Sequence, residues 1–292
     1  RRRRARALRL RPPPPGVLHV TPALSIHAAA VGPAAGRWAL GPVGLEVAAG
    51  ERLAVLGANG AGKTTLLRAA MGLARLRDGE VRIRGTPVRG PEEAVRAGAG
   101  LVLQNPEDQL LGSTLLDDAV IGPLHAGLEP PAARARAIAA IAAAGLAGLE
   151  DRATDALSFG EKRRAGLAAI LAMEPSVLLL DEPTAGLDPL GEQEIAALLA
   201  RLSRDRGAAL VVATHAVDLV PLLADRAVVL GEGRILFDGP VPALFADAAL
   251  LARARLRAPW VAELWRAHGL PPRDGRPPLT LQEALAWNAA RS

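Results

Sequence analysis

An α/β fold is what this 292-residue chain predicts, on two stretches above all. In the first, Leu53-Ala-Val-Leu56 reads as a short buried strand. A loop carrying Gly57, Gly60 and Gly62 follows it, then an apolar run that reads as a helix to about Gly72. In the second, Val177-Leu-Leu-Leu180 reads as a fully buried strand ending in two acids, Asp181 and Glu182. Two further apolar runs, residues 100–103 and 208–214, lead into Gln104 and His215. Both side chains thus sit at predicted strand ends, where open α/β sheets place their ligand sites.

The first loop has a spacing with chemical meaning. Gly57, Ala58, Asn59, Gly60, Ala61, Gly62, Lys63 and Thr64 follow the pattern G-x-x-x-x-G-K-[ST], with Thr65 just behind. Glycines let backbone N–H groups turn inward into a nest, and the helix that follows points its positive end at an anion. In this pattern Lys63 reaches the β- and γ-phosphates of a nucleotide, and the Thr64 hydroxyl ligates Mg²⁺. Cation usage favours a phosphate site over an idle glycine turn. Of 35 basic residues only Lys63 and Lys162 are lysine, so a compact ammonium stands where a slim point charge is needed. The two acids then divide the labour, Asp181 holding Mg²⁺ and Glu182 polarising the attacking water.

Composition narrows the function further. Half of the residues are apolar, enough for a large core. The absence of cysteine excludes disulfides and thiolate metal sites. The net charge of +5 is set by Arg1, Arg2, Arg3, Arg4, Arg6, Arg9 and Arg11; without them 28 basic residues face 30 acidic ones, and no nucleic-acid-binding surface is expected. No run approaches the roughly 18 apolar residues of a membrane span. The best candidate, residues 208–230, is interrupted by His215, Asp218, Pro221, Asp225 and Arg226. A soluble polypeptide is expected, which leaves docking on a membrane protein open.

The remaining elements follow in order. Residues 1–22 combine the arginine run with the run Pro12 to Pro15 and read as a disordered tail or an overextended start, with anionic lipid as a second reading. Residues 24–47 read as short strands separated by turns at Gly32-Pro33 and Gly41-Pro42, and residues 80–85 alternate like a half-exposed strand. Residues 107–150 read as a helical insertion, with an acidic turn at Asp117-Asp118 and an alanine-rich helix over about 131–144. Ser158 and Glu161 have capping-box spacing and open a helix to about Met173; a helix N-terminus with Ser and Gly is equally an anion site. A helix is expected over about 192–202, and strands over 226–230 and 234–237. The last 45 residues hold Trp260, Trp265 and Trp287 and predict two short amphipathic helices with the tryptophans as core between them.

In this order and spacing, the segments resemble the ATP-binding subunits of ABC transporters along residues 24–246. Gly57 to Thr64 matches Walker A, Gln104 the Q-loop, and Leu157-Ser158-Phe159-Gly160-Glu161 the signature segment. Residues 177–182 match Walker B, Ala185-Gly186-Leu187-Asp188 the D-loop, and His215 the switch histidine. The fold implied is a P-loop NTPase ABC ATPase domain over 23–247, with a RecA-like core, an antiparallel β subdomain and a helical insertion at about 107–173. A small C-terminal helical extension over 248–292 completes it. The resemblance also implies ATP and Mg²⁺ as cofactors, the metal held by Thr64, Gln104 and Asp181, and catalysis by Glu182, His215 and Gln104. It implies a head-to-tail dimer, with a second ABC ATPase subunit, identical or different. Ser158, Phe159, Gly160 and Glu161 of each subunit then act in trans, and Asp188 belongs to the D-loop.

Within that family the chain looks like the ATPases of energy-coupling-factor importers, which take up cobalt, nickel or vitamins. The residues that carry this are Val102-Leu-Gln104-Asn-Pro-Glu-Asp-Gln109, Gly122-Pro123-Leu124, Leu157-Ser-Phe-Gly-Glu-Lys-Arg and the tail from Gly269 to Leu285. Two departures stand out. No aromatic for adenine stacking lies around Val31 and Pro33, Trp38 being a few residues downstream. Phe159 and Glu161 replace the broader family's Gly and Gln. The function expected is ATP hydrolysis on the cytoplasmic face of the membrane, with a transmembrane coupling subunit and a substrate-binding membrane subunit as partners. The alternatives are a soluble ABC ATPase working on nucleic acid or ribosomes, and a regulatory nucleotide-binding module that has lost hydrolysis.

Overall fold

The computed structural model describes residues 21–32 and 39–289. The arginine-rich stretch, the turn at Pro33 and Trp38 lie outside the described residues.

Two sheets organise the chain. The first is antiparallel, built from β1 (Leu24–Val31), β2 (Leu40–Val47), β4 (Asp78–Ile83) and β5 (Thr86–Pro87) in the order β2-β1-β4-β5. The second contains β3 (Arg52–Leu56), β6 (Ala99–Val102), β7 (Val177–Asp181), β8 (Ala209–Ala213), β9 (Arg226–Gly231) and β10 (Arg234–Pro240). Its order is β10-β9-β3-β8-β7-β6, parallel throughout except for β10. Every residue of β6, β7 and β8 is buried, as a parallel sheet covered on both faces requires.

The pleat sorts these strands into two cores. Val177 and Leu179 join Val55, Val211 and the antiparallel-sheet residues Ile26 and Leu45, beneath α1 (Lys63–Ala70). Leu178 and Leu180 point the other way, onto α5 (Phe159–Leu171) and α6 (Pro189–Arg206) through Leu167, Ile195 and Leu199. Two short helices, α2 (Pro91–Arg96) beside β6 and α7 (Val220–Leu223) beside β3, flank the parallel sheet. A helical layer of α3 (Leu115–His125), α4 (Pro130–Ala143) and α5 closes around Leu115, Ile141 and Ala165.

Four expectations need correcting. Gly41-Pro42 is not a turn but lies inside β2, where the register with β1 shifts. That strand is at the sheet edge, so the missing proline N–H removes no ladder bond. Asp117-Asp118 is not a turn either: it forms the first turn of α3, with Thr114 and Asp117 capping each other reciprocally. Among its described residues the tail holds three helices rather than two, α9 (Ala248–Ala254), α10 (Trp260–Ala267) and α11 (Leu281–Ala289), preceded by α8 (Val241–Ala246). Of its tryptophans only Trp265 is core, edge-on to Trp287 at 5.9 Å, whereas Trp260 is 59% exposed. The tail's apolar residues Leu250, Leu251, Ala262 and Leu279 share one cluster with Ala54, Leu56 and Val229 of the parallel sheet.

Candidate nucleotide site

Neighbouring parallel strands deliver the key side chains to one edge. Moving outward from β3, the carboxyl ends present Gly57, then His215 after β8, then Asp181 and Glu182 at β7, then Gln104 after β6. Four apolar runs, each recognisable separately, become one site because they are adjacent in the sheet.

The loop after β3 curls through three positive-φ glycines: Gly57 at 145°, Gly60 at 77° and Gly62 at 106°. A Cβ on Gly57 would stand 2.3 Å from the Leu230 carbonyl oxygen, so only glycine fits. Lys63 is buried and its Nζ donates to the carbonyls of Gly57, at 2.9 Å, and Ala58, at 3.4 Å. The ammonium is thus held inside the curl, in the position from which it can be handed to phosphate oxygens. Ala58, Asn59, Ala61, Thr64 and Thr65 complete the curl and the first turn of α1.

Asp181 is 5% exposed, and its Oδ1 has no hydrogen-bond partner among the described residues. Burial pushes this carboxyl above its usual range; the Thr64 side chain, Arg68 and Lys63 pull the other way, and the Glu182 charge adds to the rise. An orphaned carboxylate oxygen beside a threonine hydroxyl suits a hard divalent cation, which takes oxygen ligands and would remove the cost of that buried charge. Gln104 is exposed two residues beyond β6, its carbonyl turned inward to Arg163.

Glu182 adopts φ of 50°, a left-handed conformation costly for a non-glycine residue. Its N–H donates to the Ala213 carbonyl at 2.8 Å, pinning it to β8. Its carboxylate accepts from both ends of His215: the ring Nδ1 lies 2.9 Å from Oε1 and the backbone N–H 3.2 Å from Oε2. The His215 side chain is 66% exposed while that of Glu182 is 8% exposed, so the pair joins a sheltered base to an open ring.

The Ser158 segment forms the capping box its spacing predicts. The Glu161 N–H donates to Ser158 Oγ at 3.3 Å, and the Ser158 N–H donates to Glu161 Oε2 at 2.7 Å. The backbone and hydroxyl of Ser158 hold the Glu161 carboxyl below its usual range, helped by Arg152 at 3.4 Å. Ser158 and Phe159 face solvent, so this helix start is uncovered by its own chain. It packs sideways on the segment after Glu182: a Cβ on Gly186, whose φ is 79°, would stand 2.6 Å from Phe159 Cε1. Asp188 caps α6, accepting from the Gly191 N–H at 2.7 Å.

Sequence reasoning missed three residues here. Arg163 is 3% exposed amid the motifs, although its position in a basic run reads as solvent-facing. Glu192 lies in the first turn of α6 close to His215; burial raises its carboxyl above the usual range, against the lowering influence of His215. Asp218, three residues beyond His215, pairs with Arg257 and accepts from the Trp260 N–H at 2.7 Å, linking this edge to the tail. No local pattern announces any of them, because each partner is distant in sequence.

Comparisons with known proteins identify the family. A family model described as ABC transporter matches residues 40–185. The cobalt import ATP-binding protein CbiO of Rhodobacter capsulatus is 43% identical, over 93% of this chain and 98% of that protein. The energy-coupling factor transporter ATP-binding protein EcfA of Methanocaldococcus jannaschii is 42% identical over 76% of this chain and 80% of its own length. Among solved structures, cbiO1 of Clostridium perfringens, described as part of the ABC transporter complex cbiONQ, superposes with a TM-score of 0.72 at 33% identity, covering 85% of this chain and all of that one. The chain therefore belongs to the ATP-binding proteins of the ABC transporter family.

Proposed function

We propose that this chain is the ATP-hydrolysing subunit of an energy-coupling-factor type importer, powering uptake of cobalt, nickel or a vitamin. The observation that carries the proposal is the convergence of the Gly57–Thr64 curl, Asp181, Glu182, His215 and Gln104 on one sheet edge. The similarity to proteins named for cobalt import and energy coupling selects the transport class.

The backbone of Gly57, Ala58, Asn59, Gly60, Ala61, Gly62, Lys63, Thr64 and Thr65 binds the phosphates of ATP, and the Lys63 ammonium exchanges its two carbonyl partners for phosphate oxygens. Thr64, Asp181 and Gln104 would hold Mg²⁺, which when bound neutralises charge developing on the phosphates. Glu182 accepts a proton from water as the water oxygen bonds to the γ-phosphorus and the bond to ADP breaks. His215 orients that carboxylate from 2.9 Å. The solvent-facing start of α5, with Ser158, Phe159, Gly160 and Glu161, completes the site of a second copy or a sister subunit, and Asp188 lies at the same seam. Among the described residues no helix is long and apolar enough to cross a membrane. The similarity to importer ATP-binding proteins supports work as a peripheral partner of a transmembrane coupling subunit and a substrate-binding membrane subunit on the cytoplasmic face. Nucleic acid is not among its ligands. Residues 23–247 form the ATPase unit and 248–292 its helical extension.

The test is Glu182→Gln. This variant binds Mg-ATP, hydrolyses it at least about 10²-fold more slowly and accumulates as an ATP-bound dimer, as removal of a general base demands. Turnover at the parent rate would refute the assignment of the base.

A further inference from the structure

Arg163 lies on the first turns of α5, yet its side chain points inward and is 3% exposed. Its Nη1 donates to the Gln104 carbonyl at 2.6 Å and, more weakly, to that of Leu103 at 3.4 Å. Its Nη2 donates to the Ala185 carbonyl at 2.6 Å. The guanidinium lies 5.4 Å from the Phe159 ring centroid. One planar group thus grips the segment after β6, the segment after Glu182 and the start of α5 itself. A guanidinium presents several donors in a fixed fork, which a lysine ammonium does not reproduce.

Burying such a cation is costly unless something repays it. Burial pulls the guanidinium below its ordinary range, and the Glu182 carboxylate offsets part of that. The Nε has no partner among the described residues, so the side chain tolerates an unsatisfied donor to keep both carbonyl contacts. The next arginine in the same basic run, Arg164, is partly buried and pairs instead with the Glu194 carboxylate.

We propose that Arg163 is a positioning residue for hydrolysis: it locks the Gln104 loop to the Glu182–Asp188 loop through the start of α5, so that the base and the Gln104 side chain keep their mutual placement. Its hydrogen bonds among the described residues go to main-chain carbonyls, and it takes no part in the bond changes. The proposal rests on the roles given above to Glu182 and Gln104.

The experiment compares Arg163→Met and Arg163→Lys with the parent and with Lys63→Ala, all as full chains purified with their membrane partners. It measures Mg-ATP affinity with a fluorescent ATP analogue, kcat, KM and the thermal midpoint. Arg163→Met retains the parent's nucleotide affinity and KM while kcat falls on the order of 10²-fold, the penalty of a displacement near 1 Å at the reacting groups. Arg163→Lys, which keeps the charge but not the fork, recovers only part of that rate and remains readable if the methionine variant does not fold. Parent-like kcat in either variant overturns the proposal, as does a parallel loss of affinity, kcat and midpoint, which marks a merely structural role. Activity that survives Lys63→Ala overturns the site reading itself, and this inference with it.

Discussion

Replacing Gly57 by alanine tests the phosphate curl most sharply. The added Cβ would stand 2.3 Å from the Leu230 carbonyl oxygen and 3.0 Å from the Ala61 Cβ. Leu230 lies on β9, which is paired with β3 on one side and β10 on the other, so its carbonyl cannot retreat without breaking the sheet. The loop must yield instead, from a φ of 145° that alanine rarely adopts. Backbone strain and overpacking together give about 2–5 kcal/mol of destabilisation. For a chain of this size the thermal midpoint falls by about 3–8 °C. Gly60→Ala is the internal control: its φ is 77° but nothing lies within 4 Å of the new Cβ, so only left-handed strain remains, about 1–2 kcal/mol. The assay is thermal unfolding of nucleotide-free protein, paired with ATP-analogue binding. Gly57→Ala loses binding along with stability. Equal midpoints for the two variants would refute the steric argument, because both positions share a positive φ and only one has a neighbour.

Two further outcomes follow from buried carboxylates. Asp118 is 4% exposed and accepts the N–H groups of Leu111, at 2.6 Å, and Gly112, at 2.9 Å, so Asp118→Ala strands two donors and costs about 2–4 kcal/mol; a midpoint unchanged in thermal unfolding would contradict this. Asp181, raised by burial, behaves oppositely. A folded value above the unfolded one means that the charged form costs stability at neutral pH, and that the cost disappears as pH falls through the raised value. Asp181→Asn accordingly raises the thermal midpoint of the metal-free protein at neutral pH, flattens that part of its pH–stability profile and abolishes Mg²⁺-dependent hydrolysis. A lower midpoint at pH 7 would show that the carboxylate is paid for by contacts other than a cation.

The sequence by itself determined whatever depends on short-range chemistry. Glycine spacing specified the curl from Gly57 to Gly62, because left-handed φ is a local demand that few other residues meet. Unbroken apolar runs specified β3, β7 and β8, because strands covered on both faces tolerate no polar alternation. Ser158 and Glu161, three positions apart, announced a capping box. Tertiary structure alone decided where distant segments meet. Gly41-Pro42 reads as a turn until the edge of a sheet absorbs it, and Asp117-Asp118 until Thr114 caps a helix over it. The tail reads as an appendage with its own tryptophan core, yet Leu250, Leu251 and Ala262 complete a cluster under the parallel sheet. Arg163, one cation in a basic run, turns inward because the Gln104 and Ala185 carbonyls, far apart in sequence, come within reach of one guanidinium. Periodicity and spacing register only neighbours along the chain, and these contacts arise between neighbours in space.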